Sequence, residues 1–132
     1  MNRTLENNQR ILLISRDQQL QASRALLLES AGYSVIDLGS DAAVMQFLRL
    51  AIQPTLDQVL MCHLVPEKSR VLLCNAIKTV YQGTPILMLY HEYDPTSAAV
   101  DGRVQNLHDP QALLDTLKVL VTTTRASQGS SN

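Results

Sequence analysis

Asp57-Gln58-Val59-Leu60-Met61-Cys62-His63-Leu64-Val65-Pro66 is the stretch on which the reading of this chain turns. It is a short, nearly unbroken apolar run that closes in a loop holding Pro66. Apolar runs of about four to eight residues bounded by breakers suit strands buried on both faces, as in parallel sheets. We read a strand over residues 58–64 with Cys62 close to its C-terminal end. The chemistry open to that strand end is therefore that of a thiol, not of a carboxylate.

Working outward, Ile11-Leu12-Leu13-Ile14 is a second buried run, and Tyr33-Ser34-Val35-Ile36-Asp37-Leu38 alternates like a strand with one wetter face. Pro85-Ile86-Leu87-Met88-Leu89-Tyr90 reads as a fourth strand and Arg103-Val104-Gln105-Asn106-Leu107 as a fifth, at a sheet edge. Helical spacing fills the gaps between them. Residues 17–31 place Leu20, Leu27 and Ala31 on one side, with Gly32 closing the end. Ser40 or Asp41 can cap a helix that buries Val44, Phe47, Leu48 and Ala51 before Pro54 stops it. Residues 67–82 point Val71, Leu72, Ala76 and Val80 inward. Asp109, with Pro110 at the first helical position, opens a last helix with Leu113, Leu114, Leu117, Leu120 and Val121 on its buried stripe.

Residues 91–102 are poorly periodic and contain Pro95 and Gly102, so at most a short helix fits between strands four and five. The fold expected is α/β: a doubly wound, five-stranded parallel sheet of flavodoxin-like order 2-1-3-4-5, in three α/β/α layers, with the fourth helix shortened. The domain spans residues 9–122, between a flexible N-terminus over 1–8 and a polar, disordered tail over 123–132.

Composition narrows the function. A formal net charge of −1 gives no electrostatic case for nucleic acid or an anionic membrane. Four Tyr, one Phe and no Trp leave little for stacking on bases. No apolar run approaches the roughly 20 residues of a membrane span, and the polar start lacks a secretory signal, so a cytoplasmic location is expected. Cys62 and Cys74 lie in apolar runs without metal-type spacing, as buried free thiols do.

The chain resembles response-regulator receiver domains over residues 10–122. The likeness rests on the Ile11–Ile14 run, the turn Leu28-Glu29-Ser30-Ala31-Gly32-Tyr33-Ser34-Val35, the strand from Asp57 to Pro66, Tyr81-Gln82-Gly83-Thr84-Pro85-Ile86 and Asp109-Pro110-Gln111-Ala112-Leu113. The resemblance implies an aspartate at the end of strand three that takes a phosphoryl group, and here that position is Cys62. It implies an acidic pair after strand one that binds Mg²⁺, and here the pair is Ser15-Arg16. The Thr or Ser after strand four becomes Tyr90, and the Lys near the end of strand five becomes Asn106. Every member of the phosphorylation machinery is replaced, which reads as a degenerate pseudo-receiver.

A thiol cannot form an acyl phosphate. A serine, a guanidinium and a thiol supply no anionic oxygen for a hard cation. Arg16 is expected to stand near the place of the missing ion, bonding backbone carbonyls or Asp17. His63, His91 and His108 each follow a strand end and, with Cys62, form a donor set of the kind zinc accepts. The plainer reading is ordinary loop histidines, and no metal or cofactor is expected.

The function expected is a non-enzymatic, non-phosphorylatable receiver-like signalling module that binds a protein partner or a second copy of itself. Its face would lie at residues 91–108, around Val100 and Leu107. The alternative is a small-ligand, metal or redox sensor in the strand-end cleft.

Overall fold

A computed structural model describes residues 9–62, 64–90, 96–104 and 110–119 of the 132-residue chain. Strands β1 (Arg10–Ile14), β2 (Ser34–Leu38), β3 (Gln58–Met61), β4 (Ile86–Leu89) and β5 (Gly102–Val104) form one parallel sheet of order β2-β1-β3-β4-β5. Helices α1 (Gln18–Ser30), α2 (Asp41–Leu48), α3 (Glu67–Val80) and α4 (residues 110–119) cover it. The doubly wound order expected from the sequence is the order observed.

The period of two along each strand divides the core between two faces. Ile11, Leu13, Leu60, Cys62, Leu87 and Leu89 point to one face, where Ala25 and Leu28 of α1 and Leu113 and Leu117 of α4 meet them. Leu12, Ile14, Val59, Met61 and Ile86 point to the other, against Val44, Phe47 and Leu48 of α2 and Leu73, Cys74 and Ile77 of α3. The three inner strands are buried along nearly their whole length, as their unbroken apolar runs require. β2 lies at an edge, and its half-buried pattern matches its alternation.

Local signals set the boundaries. The Asp17 carboxylate accepts the N–H groups of Gln19 and Leu20 and so caps α1, and Ser40 caps α2 through the N–H of Ala43. Gly32, at φ 100°, makes the left-handed turn out of α1 into β2.

Three expectations give way. α2 ends at Leu48, well short of Pro54, leaving Ala51 exposed. The Gln53 amide reaches back to the carbonyls of Phe47, Leu48 and Leu50, satisfying groups that a longer helix would have used. Tyr81 fastens this loop, stacking on Phe47 with its hydroxyl 2.7 Å from Gln53 Oε1 and Pro54 O. The buried stripe of α1 is Gln21, Ala25 and Leu28, with Leu20 exposed, and that of α3 is Arg70, Leu73, Cys74 and Ile77, with Leu72 and Val80 exposed. Each stripe contains a polar side chain, which is why apolar spacing pointed one position away. β3 and β4 are also shorter than their apolar runs, and residues 96–101, between β4 and β5, contain no helix.

Gln58 stands out within the sheet. It is fully buried, on the face that carries Ile11 and Leu60, and neither its amide nitrogen nor its amide oxygen has a hydrogen-bond partner. An unpaired buried polar group costs about 1–3 kcal/mol, and a similarly shaped apolar side chain removes that cost. Gln58→Met is expected to raise the urea midpoint at unchanged slope, by about 1–3 kcal/mol of stability. A lower midpoint would show that a buried water satisfies the amide.

Candidate functional site

In a doubly wound sheet the residues that follow each strand, and the first turns of the helices after them, gather at one edge. Ser15, Cys62 and Tyr90 come directly after β1, β3 and β4. The Cys62 N–H donates to Ile14 O at 2.9 Å and the Ser15 N–H to Leu38 O at 3.3 Å, so both extend the ladder into the cleft. Tyr90 is half-buried and donates its backbone N–H to Val104 O at 3.0 Å. Asn106, His63, His91, His108 and Leu107 lie outside the described residues.

Ser15 and Cys62 meet, and Arg24 joins them from α1. Cys62 is 1 % exposed, and burial pushes its thiol up from the usual range. The Arg24 charge, and hydrogen bonds from the Ser15 and Arg24 side chains, act against that rise. Arg24 Nη1 is buried with no hydrogen-bond partner. Burial makes the thiol a poor nucleophile and a poor redox centre.

Arg16 turns to the other side of the sheet edge. Its guanidinium pairs with Asp41 at the start of α2 and donates to Ser69 Oγ of α3 at 3.1 Å, while Ser69 Oγ donates to Asp41 Oδ2 at 2.6 Å. The expected pairing with Asp17 or backbone carbonyls is therefore replaced by a triangle that spans two helix N-termini. Asp17 is committed to its cap, and a charge-assisted bond to the Asp41 carboxylate outcompetes scattered carbonyls.

The donor set for a hard cation is absent from these positions. Ser15 is a hydroxyl, Cys62 a buried thiol and Arg16 a cation, and the carboxylates of Asp17 and Asp41 are already engaged. Mg²⁺ does not fit here. Among the described residues no group of three or more His, Cys, Asp and Glu is placed to hold a metal ion.

The first turn of α3 adds a second cluster. The Glu67 carboxylate accepts from the Thr96 hydroxyl, from the Ser97 N–H at 2.7 Å and from Ser97 Oγ at 3.0 Å, with Arg70 Nη1 3.4 Å away. At the far end of α3, Lys78 pairs with Asp101 at 2.6 Å, and Asp101 Oδ2 also accepts the Ile86 N–H at 2.7 Å. Between these two points Ala98 and Val100 pack into the α2/α3 core. Val100, expected at the centre of the partner face, is thus half-buried.

Arg24, Asp41, Glu67, Ser69, Lys78 and Asp101 carried no motif. The available signal was positional, since Asp41, Glu67 and Ser69 occupy first turns of helices that follow strands and so belong at the functional edge.

No protein-family profile and no curated protein matches this chain. Solved structures do. A CheY-like receiver domain protein from Methanospirillum hungatei superposes with a TM-score of 0.75 at 19% identity, over 92% of this chain and 99% of that one. The N-terminal domain of a three-domain response regulator from Carboxydothermus hydrogenoformans gives 0.76 at 20%, covering 90% and 98%. A Thermotoga maritima response regulator, solved with Mg²⁺ and BeF, gives 0.70 at 18%, covering 85% and 98%. The chain has the fold of CheY-like receiver domains. Among the described residues no helix is long and apolar enough to cross a membrane.

The Thr96 hydroxyl, then the Ser97 N–H, hold Glu67 at a pKa of about 2, below its ordinary 4.5. A depressed carboxylate stabilises the folded chain above its unfolded pKa and loses that contribution as pH falls towards the folded value. Denaturant midpoints are therefore expected to drop between pH 5 and pH 2, and to drop less in Glu67→Gln. Equal drops in the two proteins would show that Glu67 is not held.

Proposed function

We propose that this chain is a non-phosphorylatable receiver-like module that acts in signalling by binding another protein, in the cytoplasm, and not by catalysis. The observation that carries this reading is Cys62, buried at the end of β3 against Ser15 and Arg24 where the resemblance calls for a phospho-accepting carboxylate. A second guanidinium, Arg16, is neutralised by Asp41 on the other flank of the same edge. Among the described residues neither flank offers a carboxylate oxygen free of a cap or an ion pair to take a phosphoryl group.

The partner face on this reading comprises residues 96–104 and the adjoining α4. Ser97, Ala99, Asp101 and Arg103 are exposed there, while contacts with α3 hold the backbone in place. A preformed surface binds without a change of state.

A second reading, sensing of a small anion in the cleft, draws support from the unpartnered Arg24 Nη1 beside Ser15 and Cys62. Redox sensing does not share that support, because burial keeps the thiol protonated.

Acetyl phosphate with Mg²⁺ is expected to leave the intact mass unchanged; one stable phosphoryl adduct at the end of β3 would overturn the reading. Ala99→Glu combined with Arg103→Glu is expected to abolish capture of the native partner, or self-association, without lowering the melting temperature. Leu26→Glu, on the 68 % exposed outer side of α1, is expected to leave it intact. The reverse pattern would move the interface to α1.

A further inference from the structure

The strip of chain at residues 96–101 is fastened to α3 very differently at its two ends. At the Asp101 end the backbone N–H donates to Ile86 O at 2.7 Å, the carboxylate accepts the Ile86 N–H at 2.7 Å, and Lys78 adds an ion pair at 2.6 Å. Directly beyond lies β5, in register with β4. That end belongs to the sheet.

At the other end, the hydrogen bonds of Thr96 and Ser97 to the rest of the described residues all run to one group, the Glu67 carboxylate. The Ala98 N–H turns inward to Thr96 Oγ1 at 3.1 Å, so the bonding of Thr96 organises the turn that follows it. The Glu67 side chain is 42 % exposed, which leaves it open to competition from water, a proton or a partner's donors.

Beneath the strip lies Cys74. It has no exposed surface, shares the α2/α3 core with Ala98, and receives a hydrogen bond from the Ala99 backbone. Burial pushes its thiol up to about 11, so while covered it is protonated and slow to react.

We propose that residues 96–100 form a strap hinged at Asp101 and latched by Glu67, whose release uncovers the Cys74 thiol while the sheet stays intact. Loss of the carboxylate's bonds removes what holds Thr96 and Ser97 to the other described residues, whereas three contacts retain the hinge. Only two apolar side chains of the strap, Ala98 and the half-buried Val100, pack against the core, so opening it exposes little surface and remains a local event. The proposal rests on the proposed protein-binding role in one respect only: the strap is part of the face assigned to the partner, so the latch would regulate that face.

Alkylation of the full chain by iodoacetamide under native conditions, followed by peptide mass mapping, tests it. Cys62 is the internal control, because it is buried on the opposite face of the sheet beneath α1. Glu67→Gln is expected to raise the Cys74 rate by about tenfold or more, the scale of losing hydrogen bonds to a charged group in a local opening equilibrium. The Cys62 rate should not move. Thr96→Val combined with Ser97→Ala, which keeps the carboxylate and removes its side-chain donors, should act in the same direction. Lys78→Ala should change the Cys74 rate less than Glu67→Gln does. Equal acceleration at both cysteines, or no acceleration at Cys74 in either latch variant, overturns the latch. Labelling needs no partner and no phosphodonor, so such a failure leaves the protein-binding reading standing, while a phosphoryl adduct would remove that reading and leave the latch.

Discussion

A parallel sheet has two faces to cover, and this chain has one crossover too short to cover its share with a long helix. Residues 90–101 join β4 to β5, and residues 96–101 contain no helix. The structure meets the constraint by laying an extended strip along α3. Ala98 and Val100 supply the apolar cover, and Glu67 and Lys78 supply polar fastening at either end. α3 therefore performs two tasks. One flank packs α2 through the Phe47–Tyr81 stack and the Ser69–Asp41 bond, and the other flank receives the strip. This explains why α3 is amphipathic in an irregular way, with Glu67, Ser69, Arg70 and Lys78 placed among apolar positions. A helix that only covered the sheet would not need them.

The same reasoning applies to the carboxyl edge of the sheet. A cluster of carboxylates at one edge is tolerable only with a cation among them, because like charges a few ångströms apart raise each other's pKa. Among the described residues no such cluster is present. Cys62 continues the buried row of Leu13, Leu60 and Leu87 as a small, nearly apolar side chain, and Arg16 is drawn across to Asp41, where it joins the first turns of α2 and α3. Among the described residues of this edge Arg16 is balanced by Asp41, and Arg24 Nη1 is buried without a hydrogen-bond partner.

The strand order was legible because each strand is an unbroken or alternating apolar run between breakers, and five such runs separated by helical spacing admit few topologies. The start of α2 was legible from Ser40, whose hydroxyl caps it, whereas Asp17, read as the first residue of α1, stands one position before it as the cap. Helix faces were less so. In α1 the inward stripe includes Gln21 and half-buried Arg24, and in α3 it includes Arg70, so the apolar positions were displaced from the true stripe by about one residue. The end of α2 could not be read from Pro54, since the stop is made by the Gln53 side chain capping carbonyls some residues earlier. The resemblance named candidate positions at the cleft, of which Ser15, Arg16, Cys62 and Tyr90 are described, but it could not give their contacts. Arg16 chose Asp41 because two helices meet there in space, a fact that neighbourhood in sequence conceals.

A receiver-like fold held by its own side chains differs in energetics from one that switches. In a two-state domain, the affinity of a partner that recognises one state is divided by the fraction of time spent in it. A face held by intramolecular bonds, as residues 96–101 are by Glu67 and Lys78, carries no such penalty, since the bonds form on folding and are present before the partner arrives. On the proposed reading control by phosphate is lost, because Cys62 at the end of β3 offers no carboxylate to take a phosphoryl group. Control can then come only from what competes for the bonds themselves. Of the two fastenings, the Lys78–Asp101 pair is shared with the sheet through Ile86, so breaking it disturbs β4 as well. The exposed Glu67 carboxylate is shared with nothing in the sheet, so it is the point at which the face can change at the least structural cost.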